Sequence, residues 1–234
     1  MEGTFIMFNK SLKYLLIIFT AVSLSLIAGS GFAQGSKPVI ILDPAHGGDD
    51  AGVVGVDDVQ EKQITLAIAL AIKKELAVER NMDVILTRES DKTVTLDERK
   101  KIISSVRPAL VLSLHVNAGF GKSASGFELY YPGFKNADPE RKNKKDKKEK
   151  LGNNYLNDTV KLSRLVQKNL DTLFPRKGRG LREAPIPLME GVHAPVLIVE
   201  LGFATSAEEK KKLASEKTQT AIAKAIAKSI KGFF

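Results

Sequence analysis

His46, His115 and His193 are the only histidines in 234 residues, and cysteine is absent. Thiol catalysis and cysteine-ligated metal sites are thereby excluded. Two of the histidines stand where apolar runs end. His46 lies in Asp43-Pro44-Ala45-His46-Gly47-Gly48, and His115 follows Leu112-Ser113-Leu114. A lone histidine is usually structural, but two at equivalent strand ends would face one crevice in an open parallel sheet, which points to a metal site. A catalytic zinc takes three protein ligands and leaves one position for water, and two histidines with one carboxylate form a standard set. The third ligand is open among Glu61, Asp43, Asp49, Asp50 and His193. Glu61 opens a helical stretch, where a carboxylate also suits the helix dipole without any metal. Asp43 could instead orient His46 from behind.

A fourth group sits in the last apolar run, Val196-Leu197-Ile198-Val199-Glu200. A carboxylate in such a run is costly unless something pairs with it or uses it. Desolvation raises its pKa, which suits a group that takes a proton from water and returns it to a leaving amine. The competing reading pairs Glu200 with Arg88 or Arg99 as a structural ion pair. Asn117, two residues past His115, is expected to bind substrate or support the turn. His193, just before Pro195, could approach the metal or remain an exposed loop residue.

These residues need elements to position them. Val39–Leu42, Asp83–Thr87, Ala109–Leu114 and Val196–Leu201 read as buried strands. Phe127–Tyr131 alternates and ends at Pro132-Gly133, which predicts an edge strand. Helices are expected over Gln60–Glu79, Leu96–Ile103, Tyr155–Phe174 and Ala207–Phe234. Alternating strands and helices predict a three-layer α/β domain with a mostly parallel sheet. The lysine-rich segment 135–150 reads as a solvated, flexible insertion.

Residues 1–33 do not belong to that core. Lys10 and Lys13 precede an apolar run from Tyr14, and small residues flank a cleavage point after Ala33. The pattern predicts an export signal, a 34–37 linker and a mature domain over 38–234. Net charge is +9 and stays basic once residues 1–33 are removed. For an exported protein this points to anionic cell-envelope polymers rather than nucleic acid as partner. The expected location is the periplasm, or the cell envelope and extracellular space.

Asp43-Pro44-Ala45-His46-Gly47-Gly48, Gln60-Glu61-Lys62, Thr87-Arg88-Glu89-Ser90-Asp91, Ser113-Leu114-His115-Val116-Asn117-Ala118 and Pro195 through Phe203 occur in that order. Together they resemble the zinc-dependent N-acetylmuramoyl-L-alanine amidases of the type 3 family, over about Val39 to Phe234. Ala45 departs from the glycine usual before the first histidine, and Ser104 from a frequent asparagine. The resemblance implies a twisted six-stranded sheet with helices on both faces. It implies one zinc ion per chain held by His46, Glu61 and His115, with Glu200 as the catalytic glutamate. The implied reaction is hydrolysis of the amide between N-acetylmuramic acid and L-alanine in peptidoglycan, by a monomer that could answer to a protein activator. Two rival readings are a non-catalytic peptidoglycan-binding or regulatory domain on the same fold, and a zinc peptidase cutting within the stem peptide.

Overall fold

The computed structural model describes residues 36–55, 58–118, 125–132, 145–175 and 177–234. The expected export signal over 1–33 and all but the last two residues of the 34–37 linker lie outside the described residues. Six strands form one sheet: β1 (Val39–Pro44), β2 (Asp83–Leu86), β3 (Leu110–Asn117), β4 (Phe127–Pro132), β5 (Gly178–Ala184) and β6 (Val196–Phe203). Their order is β2-β1-β3-β6-β4-β5. The first four in that order are mutually parallel, and β4 and β5 pair parallel with each other but antiparallel to β6.

Side-chain alternation along the strands divides two cores. Leu110, Leu112, Leu114, Leu197, Val199 and Leu201 face one side. There they meet Ile68 and Ile72 of helix α1 (Glu61–Ala77), Leu162 and Val166 of α3 (Lys145–Leu170), Leu213 of α4 (Ala207–Ala214) and Ile226 of α5 (Glu216–Phe233). Ile41, Val111 and Val196 face the other side, against Ile103 of α2 (Leu96–Ser105) and Leu188 of a 3-10 turn (Pro187–Met189). Helices therefore cover both faces of the sheet, as expected for three layers.

The connections fix where a site can form. From β1 the chain passes through α1 to β2 on one side, then through α2 on the opposite face to β3 on the other side of β1. The direction of winding reverses between β1 and β3, and this opens a crevice at their carboxyl ends.

Four sequence expectations need correction. β3 runs on to Asn117, so His115 lies inside a strand rather than just beyond one. β4 is an interior strand, because β5 forms the edge outside it. β5 reads Gly-Arg-Gly-Leu-Arg-Glu-Ala, and its exposed positions give it no apolar run for a sequence pattern to detect. The stretch 207–234 is two helices, because the Ser215 side chain leaves the helical path and accepts the Thr218 N–H to start α5. In the charged insertion, residues 135–144 lie outside the described residues, while 145–150 form the first turns of α3. Lysine and glutamate are good helix formers, and no proline interrupts them there.

One buried ion pair ties β1 to α2. Asp43 is 2% exposed and accepts bonds from Arg99 Nη1 at 2.6 Å, Thr87 Oγ1 at 2.6 Å and Ser113 Oγ at 2.7 Å. Arg99→Met leaves that carboxylate buried without its cation, and is expected to destabilise the chain by about 3–5 kcal/mol in urea unfolding. Asp43→Asn combined with Arg99→Met is expected to recover part of the loss. A double variant as unstable as the single one would show that the stranded charge is not the cause.

Candidate metal centre

His46 reaches the crevice through an unusual turn. Its backbone lies in the left-handed region at φ 62°, followed by Gly47 at 134° and Gly48 at 60°. For a residue with a Cβ this conformation is strained by about 1–3 kcal/mol and persists only where the surroundings impose it. Two buried arginines do so. Arg99 donates to the carbonyls of Pro44 and His46, and Arg88 to those of Pro44 and Ala45. Ala45 keeps an ordinary φ, so the missing glycine costs nothing at that position.

Glu61 is the first residue of α1, and its carboxylate is only 2% exposed. It takes four donors. Oε2 accepts the Val53 N–H at 3.0 Å and faces His46 Nε2 at 3.1 Å. Oε1 accepts the Val116 N–H at 2.9 Å and faces His115 Nδ1 at 3.2 Å. Burial opposes ionisation, but His115, His46 and the two N–H groups outweigh it and hold the carboxyl far below the usual range. The same carboxylate lifts His46 to about 9 against the opposing effect of burial, with a further contribution from Asp50.

The donor set fits a metal ion. One ligand atom each from His46, Glu61 and His115 lies within 4.8 Å of the others. His46 Nε2 and His115 Nδ1 approach different oxygens of the Glu61 carboxylate, and two imidazole nitrogens with one carboxylate are a standard donor set for zinc. Asp50 Oδ2 accepts a bond from His46 Nδ1 at 2.8 Å, which turns Nε2 towards Glu61 and away from competing partners. Gly52 adjoins the cluster at φ 66°, and a Cβ there would lie 2.6 Å from His46 Cδ2 and 2.7 Å from Glu61 Oε2.

Glu200 stands beside this cluster. It is the β6 partner of His115 in β3 and of Glu128 in β4, so the three side chains share one row on one face of the sheet. Its Oε2 is buried and has no hydrogen-bond partner among the described residues. Arg99 is engaged with Asp43, and Arg88 with backbone carbonyls and the Thr65 hydroxyl, so neither forms the structural pair that competes with the catalytic reading. Desolvation raises Glu200 to about 7. His115 and His46 pull it down, while the charges of Glu61 and Glu128 push it up. The result is a carboxyl near the midpoint of its titration at neutral pH, facing an open cleft of about 620 Å³. That cleft is lined by His46, His115, Glu200, Tyr130, Ile198 and Leu188, among others.

The other sequence candidates fall elsewhere. Asp43 does not touch the His46 ring and acts on its backbone through Arg99. Asp50 lies behind His46 rather than in front of it. Asp49 takes part in a surface contact with Thr93. Asn117 donates to Glu128 at 2.8 Å, and its carbonyl accepts the Ala204 N–H, so it holds β3 to its neighbours. His193 does not join the cluster. It is exposed and lines a second cavity. Sequence reasoning missed Glu128 and Tyr130, whose hydroxyl donates to Glu128 at 2.6 Å. The signal available was a second carboxylate in an apolar run, Phe127-Glu128-Leu129, of the same kind that singled out Glu200.

Comparison with known proteins agrees with this geometry. The sequence profile described as N-acetylmuramoyl-L-alanine amidase matches residues 40–232. The germination-specific N-acetylmuramoyl-L-alanine amidase of Bacillus subtilis is 32% identical over 213 residues, covering 85% of this chain and 81% of the relative. N-acetylmuramoyl-L-alanine amidase AmiA of Escherichia coli is 27% identical over 86% of this chain and 78% of its own length. The CwlD amidase from Clostridioides difficile, solved in complex with the GerS lipoprotein, superposes with a TM-score of 0.69 at 28% identity. That match covers 84% of this chain and 98% of CwlD. With a profile match spanning nearly the whole described domain, this chain belongs to the N-acetylmuramoyl-L-alanine amidase family.

Proposed function

We propose that this enzyme cleaves the amide between N-acetylmuramic acid and the L-alanine of the peptidoglycan stem peptide, using one zinc ion held by His46, Glu61 and His115. The observation that carries this reading is the buried, unpartnered oxygen of Glu200 next to a His-Glu-His cluster that opens on the same cleft. When bound, zinc supplies Lewis-acid polarisation of the scissile carbonyl and lowers the pKa of a water towards ~7. Glu200 accepts a proton from the attacking water at its carboxylate and returns it to the alanine nitrogen as the amide breaks. Its raised pKa suits both directions of that transfer. Asp50 holds the His46 ring, while Arg99 and Arg88 hold its backbone, so the ligand enters the reaction already oriented.

Several further features belong to the same proposal. Residues 1–33 act as an export signal and residues 34–37 as a linker, so the mature domain over 38–234 works in the periplasm or cell envelope, or outside the cell. The basic surface favours anionic envelope polymers over nucleic acid. The chain acts as a monomer with one zinc ion and answers to a protein activator; the lipoprotein complex of the CwlD relative supports a protein partner. The test is digestion of purified sacculi. Free glycan strands with intact stem peptides support the amidase, shortened peptides would assign a peptidase, and no release would assign a binding domain.

Three outcomes are expected. Glu200→Gln keeps one equivalent of zinc but lowers kcat on sacculi by about 10²–10⁴-fold, the usual scale of general acid–base catalysis. A variant that stayed fully active would remove Glu200 from the mechanism. Chelation abolishes activity and one equivalent of zinc restores it. Because His46 in the metal-free chain is raised to about 9, it carries a proton at neutral pH that zinc must displace. Zinc affinity therefore rises with pH up to about 9, and calorimetry at pH 7 in buffers of different ionisation enthalpy should read release of about one proton. Gly52→Ala places a Cβ against both His46 and Glu61 at a left-handed φ. It is expected to weaken zinc binding by about tenfold or more in a chelator competition, as loss of ligand support commonly does. Unchanged affinity would mean that the ligands move aside freely.

A further inference from the structure

A second cavity of about 650 Å³ lies at the far end of the same sheet face. Helix α2 runs back along the sheet from the cleft, so its last turn lies where β3 and β6 begin. Lys100, Lys101 and Ser104 of that helix line the cavity, with Arg107 entering β3 and His193 before β6. The walls are apolar, formed by Ile103, Val106, Pro108, Leu188 and Val192, and Tyr155 of α3 closes one side. Leu188 lines both this cavity and the cleft at the metal centre, so the segment from Ala184 to His193 joins the two along one face.

The charge balance is one-sided. Among the described residues Glu190 is the only acid in the lining, and Lys100 meets it at 3.4 Å. Lys101, Arg107 and His193 have no side-chain partner among the described residues. Such a site favours an anion. The cavity lies at the carboxyl end of a helix, where backbone carbonyls rather than N–H groups are left over. The Ser104 and Ser105 hydroxyls donate to the carbonyls of Lys101 and Ile102. The site does not lie at a helix start, so it lacks the cradle of N–H groups that many phosphate sites add to their basic side chains. A peptide fits better. Its methyl groups suit the apolar walls, and its carboxylates suit the lysines and arginine.

We propose that this cavity is a second peptidoglycan subsite, which binds the carboxylates of a stem peptide other than the one being cut. It rests on the amidase reading, because the occupant is a neighbouring peptide of the same polymer. Holding a neighbouring peptide there would fix the polymer against the face that carries the cleft. It would favour insoluble, multi-peptide substrate over a single soluble one.

The test uses the full chain carrying Glu200→Gln, so that nothing is hydrolysed. The probe is the tetrapeptide L-Ala-γ-D-Glu-L-Lys-D-Ala without muramic acid, with a control in which its carboxylates are amidated. The expected result is that the free acid binds and the amidated peptide does not. Arg107→Ala and Lys101→Ala should each weaken binding about tenfold, the scale of one charge-assisted hydrogen bond. In the otherwise wild-type chain, the same two changes should slow digestion of sacculi while leaving kcat/KM on a soluble muramyl peptide unchanged. Equal binding of the amidated peptide, or an affinity indifferent to Arg107 and Lys101, would overturn the proposal, as would preference for a glycerol-phosphate oligomer. Failure of the amidase reading would show separately, as no cleavage of the soluble muramyl peptide by the wild-type chain.

Discussion

Everything at the centre hangs on the buried carboxylate of Glu61. It sits in the first turn of α1, where the dipole favours a negative charge, but that contribution is only about 0.3–1 kcal/mol and cannot by itself offset burial. Four donors from three places in the chain make up the difference: Val53 from the loop before the helix, the His46 ring from the turn after β1, and the Val116 N–H and His115 ring from β3. One side chain thus ties the start of α1 to the end of β1 and to β3. The two rings are gathered around this charge by the fold itself, which is the arrangement that the proposed zinc site requires. The observation that Gly52 leaves no room for a Cβ between His46 and Glu61 follows from the same crowding.

The carboxylate can gather the rings only if His46 is delivered to it, and that requires a strained turn. The left-handed backbone at His46 is unfavourable alone. It is imposed by Arg88 and Arg99, whose guanidinium groups collect the carbonyls of residues 44–46 that the turn leaves without strand partners. Arg99 in turn needs Asp43, whose carboxylate also accepts bonds from the Thr87 and Ser113 hydroxyls. The polar network below the site is fully engaged, so strain at the ligand is held by a rigid frame rather than relieved by motion. Arginine suits this role better than lysine because its planar fork serves several carbonyls at once.

Much of this was legible in the sequence, for reasons that differ from residue to residue. The parallel core strands showed as unbroken apolar runs because both their faces are covered. Strand-end placement singled out His46 and His115, although β3 extends two residues beyond the second of them. The carboxylate within an apolar run singled out Glu200. Glu61 did not emerge this way: its helix-start position had an adequate explanation without a metal, and only the family resemblance chose it. The backbone donors that settle its charge come from Val53 and Val116, whose identities carry no polar signal. β5 was invisible because an edge strand with exposed arginines lacks any apolar pattern. The Arg99–Asp43 pair spans 56 residues, and no local spacing announces it.

Glu61 and Glu200 show why position in the row matters more than residue type. Both carboxylates lie within reach of the two histidines, yet their environments push them in opposite directions. Glu61 is surrounded by donors and stays ionised, which is what a ligand to a cation requires. Glu200 is desolvated, has an oxygen with no donor, and lies in register with the buried carboxylate of Glu128. Glu128 is itself held by Asn117, Tyr130 and Arg179, so its charge stays where it presses on Glu200. In the proposed mechanism, two carboxylates with pKa values driven apart divide the work between holding the metal and moving the proton. The sheet achieves this by ordinary pairing, since His115, Glu200 and Glu128 are simply neighbours across β3, β6 and β4. Shifting β6 by one residue would turn Glu200 into the opposite core and leave the crevice with ligands but no base. The strand register that buries Leu197, Val199 and Leu201 is therefore also what places Glu200 in the crevice for its proposed role.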